Sequence, residues 1–435
     1  MIKEIIFAEK NKLDETEHVT SDIHDILSKH APYSETSNVA NPGVDPSIYL
    51  DSTVVRFGVA IDKTNSNPDT RVSYIQDAVG MVPAHMDFTT GKFNYGTWEN
   101  VWFIRKNKPV MLKYNGTEAY ELNPNDYSKK LDGTPSDVSD STFLGNAMSR
   151  IPLVYLSMTE DTKYEYISVS NVKYDETYVP IAHTREDGTV MDTLYISMFK
   201  AYKNGSKLKS TLGMYPANSL NADKEMAMAK ANGEGWNTRT WGQRMLINAL
   251  LMIISKSDNS QAKFGGGVSD VYNPTDRYKG MIPSGSLSDR GQFFGSQGLA
   301  SEVKVFHIEG WWGNQWERIA GLVSDHGKIK YTFTGPYNLT GKDYIDSGIV
   351  YTDDLDEVTY PSKSSTSKAG RFPIEFTGSS NTYTCDGFWL DKNELTYVLV
   401  GGLYGDAYMN GMHYINFNAK PSLSNLDIGV GISYL

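Results

Sequence analysis

The sequence predicts an α+β fold made of many short strands, a few helices and long surface loops. Glycine and tyrosine are abundant, with 38 and 28 residues, and they favour tight turns and half-exposed strands. Short segments with apolar alternation recur between turn signals along most of the chain. One segment, from Trp236 to Gly267, has helical spacing instead, and a mixed α+β fold accommodates both patterns.

That segment contains the clearest helix of the chain. Thr240 and Gln243 have the spacing of a capping box, in which each side chain satisfies a free backbone N–H group of the first turn. Apolar residues then follow nearly all round the helix up to Ile254. A surface helix would show a polar face, so we expect this one to be a buried core helix. A second helix is predicted at 220–233.

The charge balance limits the possible partners. The chain has 435 residues, with 41 Lys and Arg against 52 Asp and Glu, a net charge of −11. An acidic surface repels phosphate backbones, so we predict no nucleic-acid partner. The N-terminus lacks the apolar core of a signal peptide, and no apolar run reaches the roughly 18–20 residues of a membrane span. We predict no membrane insertion and synthesis in a cytoplasm.

The chain divides into three regions by composition. Residues 1–50 include the turn-rich stretch SETSNVANPGVDPS and read as an extended arm that orders against a partner; a terminus without a fixed partner is the alternative. Residues 51–140 form a β-rich segment, and 141–435 form the main mixed domain.

Strands and loops follow local signals. Asn115-Gly116 is a two-residue hairpin signal between PVMLKY and TEAYEL. TWENVWFIR, at 97–105, is predicted as a strand from its aromatic and β-branched residues. Polar, Gly- and Ser-rich composition predicts long loops at 123–141, 265–301 and 340–387.

No catalytic or metal signature is present in the sequence. GxSxG, HExxH and P-loop motifs are absent, so we predict no catalytic residues, no metal ligands and no cofactor. Cys385 is the single cysteine; we expect a small buried hydrophobe, and a nucleophile is the alternative. His307 and Glu309 would share one face of a strand as a hydrogen-bonded structural pair, with a metal or acid–base role as the alternative.

An acidic cluster runs from Asp353 to Glu357. Several carboxylates close together can hold Ca²⁺, but this cluster lacks the glycine and the spacing of an EF-hand loop. A solvated acidic loop is therefore the preferred interpretation, and calcium binding stays open.

Two aromatic clusters suggest molecular recognition. Trp311 and Trp312 lie close to Trp316, which we expect in the core beside Ile319 and Leu322. Aromatic rings stack on sugars and supply contact area at low entropic cost, and amide and carboxylate groups bond hydroxyls. The second cluster, near the C-terminus, comprises Tyr404, Asp406, Tyr408, Asn410, His413, Tyr414 and Asn416. Packing in the core is the alternative for both clusters.

Three segments in order resemble a family of bacteriophage virion proteins. They are GWNTRTWGQRMLINALLMIISKSDNSQAKFGGG at 235–267, VKVFHIEGWWGNQWERIAGL at 303–322 and YVLVGGLYGDAYMNGMHYINFNAKPSLSNLDIGVGISYL at 397–435. GNAMSRIPLVYLSM, at 145–158, resembles the family's opening strand. Asn314-x-Trp316-Glu317 matches its GN-x-WE motif, and the resemblance covers about 75–435.

The resemblance implies a C-type-lectin-like fold, shared by formylglycine-generating enzymes and the variable receptor-binding tip proteins of phages. Gly431 stands where the family's closing motif has arginine. The enzymatic branch uses a pair of cysteines, so the single Cys385 does not carry an oxidase activity over. Lectin-type Ca²⁺ motifs are absent as well. The implied ligand face is Tyr404, Asp406, Tyr408, Asn410, His413, Tyr414 and Asn416, with Trp311 and Trp312 as neighbours.

The leading hypothesis is therefore a phage structural protein on the virion, a head fibre or tail receptor-binding protein, that binds a host-surface glycan or protein. The arm at 1–50 would attach it to other virion proteins, and the resemblance implies a homotrimer. A purely architectural decoration protein is the second hypothesis. The third is a glycan hydrolase that uses Glu309 and Glu317 as paired carboxylates.

Overall fold

A computed structural model describes residues 54–271, 281–353 and 355–435, and for 356–358 it describes the backbone alone. The predicted arm at 1–50 lies outside the described residues. Within them the predicted α+β class is confirmed, because short and mostly antiparallel sheets surround a few helices and long loops. The described helices are α1 (Trp102–Arg105), α2 (Ala222–Lys230), α3 (Trp241–Ser255) and α4 (Ser260–Phe264).

The strands are short, and most have two to eight residues. In chain order they are β1 (Arg56–Asp62), β2 (Val72–Gln76), β3 (His85–Asp87), β4 (Lys92–Asn94), β5 (Lys108–Lys113), β6 (Glu118–Asn123), β7 (Asp126–Lys130), β8 (Gly145–Pro152), β9 (Tyr155–Glu160), β10 (Tyr164–Ser170), β11 (Thr193–Ser197), β12 (Tyr202–Asn204), β13 (Lys207–Lys209), β14 (Trp236–Thr238), β15 (Lys304–Val305), β16 (Ile308–Glu309), β17 (Trp316–Asp325), β18 (Lys328–Tyr331), β19 (Ile345–Val350), β20 (Leu355–Thr359), β21 (Lys363–Ser367), β22 (Gly370–Glu375), β23 (Phe388–Leu390), β24 (Leu395–Val400), β25 (Ile415–Phe417), β26 (Ile428–Gly429) and β27 (Ile432–Tyr434).

Three larger sheets organise these strands. The first has the order β2-β1-β10-β9, and the second has the order β14-β27-β11-β8-β5-β6-β7. The third runs β19-β18-β17-β24-β25-β23-β20, with β26 paired in parallel to β17. Four two-stranded ribbons complete the fold: β3–β4, β12–β13, β15–β16 and β21–β22.

The predicted boundary at residue 140 is not a division between sheets. In the first sheet, β1 pairs with β10 over seven residue pairs. In the second sheet, β5 pairs with β8 over six. The largest apolar cluster likewise joins Phe57 and Trp98 to Leu250 and Phe388. The segment at 51–140 and the domain at 141–435 therefore share sheets and core.

The predicted core helix is confirmed as α3. Thr240 is its N-cap, and both hydrogen bonds of the capping box with Gln243 are present. Every residue of α3 except Asn248 is buried, and the helix contacts β1, β10 and β17. It therefore lies between the first and third sheets. It ends at Lys256, whose left-handed backbone (φ 52°) turns the chain towards α4.

Two further predictions, a hairpin and a helix, are also confirmed. Asn115-Gly116 joins β5 to β6, and Gly116 has φ +80°, which glycine adopts without strain. The helix predicted at 220–233 is α2, capped by the Asn221 side chain, which accepts from the Lys224 N–H at 3.0 Å.

Three sequence predictions are wrong. The strand predicted at 97–105 contains the helical turn α1, where Val101 and all of Trp102 to Ile104 are buried; a strand would point alternate side chains to opposite faces. The loop predicted at 123–141 contains β7, and the loop predicted at 340–387 contains β19 to β22. These strands are rich in serine, threonine and charge, so they show little apolar alternation. In the described part of the chain, no helix is both long and apolar enough to cross a membrane.

Candidate functional site

The predicted C-terminal ligand residues lie on the connection between β24 and β25 and just beyond it. Gly401 and Gly402 turn the chain after β24, with φ +87° and +83°. Tyr404 is fully buried, and its hydroxyl donates to the Asp427 carboxylate at 2.6 Å. Asn410 is also fully buried, and its amide donates to Ser269 Oγ at 2.8 Å and to the Leu403 carbonyl at 2.7 Å.

The residues that follow are interior as well. Tyr414 is fully buried, with its ring 4.5 Å from that of Trp316, which confirms Trp316 as a core residue. Asn416 lies inside β25 and accepts from the Asn418 N–H at 2.8 Å. Burial lowers the pKa of His413, whose Nε2 lies 3.5 Å from Asp258.

Trp311 and Trp312 are part of the frame of the fold. The Trp311 ring has the guanidinium groups of Arg244 and Arg239 at 4.6 and 5.3 Å, and its indole N–H donates to Asn248 at 2.9 Å. Trp312 is fully buried and donates to the Gly265 carbonyl at 3.0 Å. A ring held in this way has no free face for a ligand.

Of the nine predicted ligand residues, Tyr408 presents a ring to solvent, with 63% of its surface exposed. It lies on a short 3-10 turn at Ala407–Met409, and its carbonyl accepts from Gln261 at 2.9 Å. Asp406 is half-buried, and burial raises its pKa to about 7. Ligand binding by this set stays a prediction, but in this conformation only its Tyr408 end is open.

The predicted pairing of His307 with Glu309 is wrong. His307 lies in the tight turn between β15 and β16 with φ +62°, so it does not alternate with Glu309 on one strand. Its Nδ1 is 2.8 Å from the Tyr127 hydroxyl. Glu309 instead accepts backbone N–H groups from Gly285 at 2.8 Å and Leu287 at 3.2 Å.

The carboxylates proposed for glycan hydrolysis are also buried. Glu309 is 2% exposed and Glu317 is 1% exposed. Glu317 accepts a 2.7 Å hydrogen bond from Arg239, an ion pair inside the core. Two carboxylates committed to separate buried partners do not flank an accessible substrate position, so the hydrolase hypothesis loses its proposed pair.

Cys385 is buried, as expected for a small hydrophobe, and burial raises the pKa of its thiol. A thiol with a raised pKa is a poor nucleophile. Among the described residues, no group of three or more His, Cys, Asp or Glu side chains is placed to hold a metal ion. The acidic cluster at Asp353–Glu357 is only partly described, so its calcium prediction stays open.

A buried ionic cluster surrounds Asp258, in the turn between α3 and α4. Arg371 of β22 contacts Asp258 through two nitrogens, at 2.7 and 3.1 Å, and Glu165 of β10 through Nε at 2.7 Å. Arg71 lies 3.3 Å from Asp258. Burial acts to raise the pKa of Asp258, but Arg371 and Arg71 outweigh it and hold the pKa below its usual value.

No sequence motif marks a further feature, an open groove of about 1130 Å³. We call it the edge groove, because β14, the edge strand of the second sheet, lines it, and we call the side lined by β14 and β27 its floor. Its walls are the Asn115 turn, the loop at 184–187, the segment at 230–237 and Tyr337. Thr240 and Gln243, at the start of α3, line it as well.

Aromatic rings line the floor of the edge groove. The Trp236 ring lies 5.3 Å from that of Tyr434 and 6.5 Å from that of Tyr114. The Trp236 indole N–H donates to the Tyr114 carbonyl at 2.8 Å, which fixes the ring in place. Tyr434 and Tyr114 are half-buried and line the groove, and Lys207 Nζ lies 4.0 Å from the centre of the Tyr114 ring.

Comparison with known proteins adds little. No protein-family model and no curated protein sequence matches the chain. Among solved structures, it is similar to PvdO from Pseudomonas aeruginosa, at 12% identity and a TM-score of 0.29, covering 67% of this chain and 94% of PvdO. It is also similar to the U1 and M1 variants of the Major Tropism Determinant, at 10% and 9% identity and TM-scores of 0.28 and 0.27, covering 75% of this chain and 71% of each of theirs. At TM-scores this low, the likeness carries no argument about function.

Proposed function

We propose that the chain is a structural protein of a bacteriophage virion that binds a glycan or protein on the host surface. The sequence resemblance to phage virion proteins motivates the proposal. The observation that carries it is the edge groove, because a wide groove with aromatic rings and polar side chains has the character of a recognition site. It is a binding protein in this proposal and not an enzyme.

The buried residues support a separation between a rigid frame and the exposed residues that would bind a ligand. The segments that carry the resemblance supply buried frame residues, among them α3, Trp311 and the Arg239–Glu317 ion pair. A rigid frame holds loops in fixed positions, and recognition residues are commonly displayed on such loops. The edge groove borders β14, β27 and the start of α3, and the exposed Tyr408 turn lies on the connection between β24 and β25.

The finer assignments belong to the same proposal. The protein would be a head fibre or a tail receptor-binding protein, made in the host cytoplasm and present on the finished virion. Residues 1–50 would attach it to other virion proteins, and it would act as a homotrimer. A purely architectural decoration protein is the competing function, and it requires no ligand in the edge groove.

Host adsorption tests the proposal. The full chain carrying a fluorescent label is added to the bacterium that the encoding phage infects and to an unrelated bacterium. We expect saturable binding to the host alone, and competition between unlabelled protein and phage adsorption. Equal and negligible binding to both bacteria, with immunogold labelling of the virion, would favour the architectural alternative.

A further inference from the structure

We propose that the edge groove binds an uncharged oligosaccharide. This inference rests on the proposed function and deepens it, because it names the site and the class of ligand. Its site differs from the predicted C-terminal set, whose side chains are mostly interior. Four features of the groove carry the inference: two incompletely bonded polar side chains, its mixed charges, its aromatic floor and its size.

The first feature is the Asn232 amide. Asn232 lines the groove and is 3% exposed. Its Nδ2 donates to the carbonyls of Leu208 at 2.9 Å and Ala229 at 3.0 Å, so the amide cannot be flipped without placing its oxygen against two carbonyls. Asn232 Oδ1 therefore points away from them, and it accepts no hydrogen bond within the described residues. A buried acceptor of this kind is costly unless a ligand or water donates to it.

Arg185, which also lines the groove, has the complementary group. Its Nε is buried and donates to no acceptor within the described structure. Within the described residues, Asn232 Oδ1 thus lacks a donor and Arg185 Nε lacks an acceptor, but both atoms are almost fully inaccessible, so a ligand reaches them only when the side chains over them shift. A sugar hydroxyl serves as either, since it carries one O–H donor and two lone pairs.

The charges of the rim argue against a charged ligand. Arg185 and Lys230 are cationic, whereas Glu186, Asp187 and Glu234 are anionic, and all five line the same groove. A polyanion would approach three carboxylates, and a polycation would approach two cations. An uncharged ligand with many hydroxyls avoids both penalties and bonds to either sign.

The floor and the size fit a chain of sugar rings. The half-buried Tyr434 lines the groove beside polar groups and supplies an aromatic ring for a sugar, whereas the Tyr114 ring has the Lys207 ammonium 4.0 Å from its centroid. The groove, at about 1130 Å³, is as large as the roomiest small-molecule sites, which reach about 1000 Å³. It therefore accommodates more than one sugar ring.

Two point variants and one matched control test the site. The probe is a printed array of uncharged oligosaccharides of hexoses and N-acetylhexosamines, with sialylated and sulfated oligosaccharides as acidic counterparts. Glu234→Ala and Lys230→Ala remove exposed groove side chains, and Glu99→Ala removes an exposed carboxylate outside it. We expect the full chain to bind uncharged members. Each groove variant should bind about tenfold more weakly, the factor for one lost hydrogen bond, with Glu99→Ala unchanged.

Tyr434→Ala tests the aromatic floor. Since Tyr434 also packs on Trp236, the variant is compared only if its thermal unfolding midpoint matches that of the full chain, and Tyr215→Ala, at a tyrosine that is 59% exposed elsewhere, is its control. Tyr434→Ala should abolish binding to the array, while Tyr215→Ala retains it. If Tyr434→Ala does not fold, the Glu234 and Lys230 variants decide the question.

Failure of this inference and failure of the proposed function would give different results. Binding to acidic oligosaccharides alone, or equal binding by the groove variants and the full chain, overturns the inference. If no array member binds while the full chain and its groove variants adsorb to host cells equally, the edge groove is excluded and the proposed function stands. If groove variants lose host adsorption but no array member binds, the oligosaccharide class is overturned. If the full chain does not adsorb to the host, the proposed function itself fails.

Discussion

At the scale of the residue, the Asp258 carboxylate links arginines from two separate parts of the chain. It contacts Arg371 on β22 and Arg71 just before β2, and Arg371 in turn holds Glu165 on β10. All four side chains are buried. Removing one member of a buried ionic cluster leaves the others charged and unpaired, which costs more than the pair itself contributes.

Asp258→Asn is therefore expected to lower the free energy of unfolding by about 3–5 kcal/mol, because the buried Arg71 loses its ion-pair partner and Arg371 keeps only Glu165. Equilibrium unfolding in urea measures the change. Asp270→Asn, at an exposed aspartate on the segment after α4, is the control and should change the free energy by less than about 0.5 kcal/mol. A loss of the same size in both variants would contradict this role of Asp258.

His183 provides a pH-dependent prediction. It is fully buried, and burial lowers its pKa from 6.5 to about 3, although a contact with the Met191 backbone acts to raise the pKa. The unfolded chain takes up the proton first as the pH falls. The His183 contribution is therefore complete above pH 6.5 and is lost between pH 6.5 and about pH 3.

His183→Leu should remove this part of the acid sensitivity, because leucine does not titrate. Between pH 7 and pH 4 the variant is expected to lose about 3 kcal/mol less stability than the wild type, from 1.36 kcal/mol per pKa unit. Chemical unfolding at both pH values gives the difference. His85→Leu, at a half-buried position on β3, is the control, and an unchanged acid loss in His183→Leu would refute the assignment.

The predicted ligand residues show what a sequence conveys about single side chains. Tyr404, Tyr408 and Tyr414 occur in similar glycine- and asparagine-rich surroundings, yet two are buried and one is exposed. The difference comes from Asp427, which accepts from Tyr404, and from Trp316, which packs on Tyr414. Those partners are far from the tyrosines in the sequence and are brought to them by tertiary packing. The local composition therefore cannot tell a buried tyrosine ring from an exposed one.

At the scale of the element, α3 and the Asn115-Gly116 hairpin were predictable because their signals are local. A capping box and a two-residue turn act between residues at most four apart. The segment at 97–105 was not predictable in this way, because burial of successive residues in α1 is decided by the core around them. The edge groove gathers five separated segments, so no motif in the sequence marks it.

The cap of α3 gives a prediction at this scale. Thr240→Ala removes the side-chain acceptor for the Gln243 N–H and is expected to lower the free energy of unfolding by about 1 kcal/mol. Thr240→Ser keeps the hydroxyl and serves as the matched variant, with an expected loss of less than about 0.5 kcal/mol. Thermal and urea unfolding measure both. Equal losses would mean that packing of the threonine methyl, and not the capping hydrogen bond, stabilises the start of α3.

At the scale of the whole molecule, strands from before and after residue 140 pair with one another in the same sheets. Without β1 and β5, both β10 and β8 would lose a neighbouring strand. Unpaired strand edges expose backbone N–H and C=O groups and promote association. The sheets of the described chain are therefore cooperative across that boundary.

Residues 141–435 expressed alone are accordingly expected to aggregate or remain unfolded. Circular dichroism, size-exclusion chromatography and the cooperativity of thermal unfolding compare this fragment with the full chain. Adding a separate 51–140 fragment in trans should recover part of the folded signal if the missing strands are the cause. A monomeric 141–435 fragment with a cooperative transition close to that of the full chain would contradict the shared-sheet arrangement.

The position of β27 has a consequence for biosynthesis. Tyr434 pairs with Tyr195 on one side and with Trp236 on the other, so β27 joins strands made some 240 and 200 residues earlier. Such long sequence separations raise the contact order and slow folding. While the ribosome is still adding the residues before Ile432, the edges of β11 and β14 that will receive β27 stay open. The nascent chain therefore depends during translation on protection from other chains, and the second sheet closes only once β27 has left the ribosome.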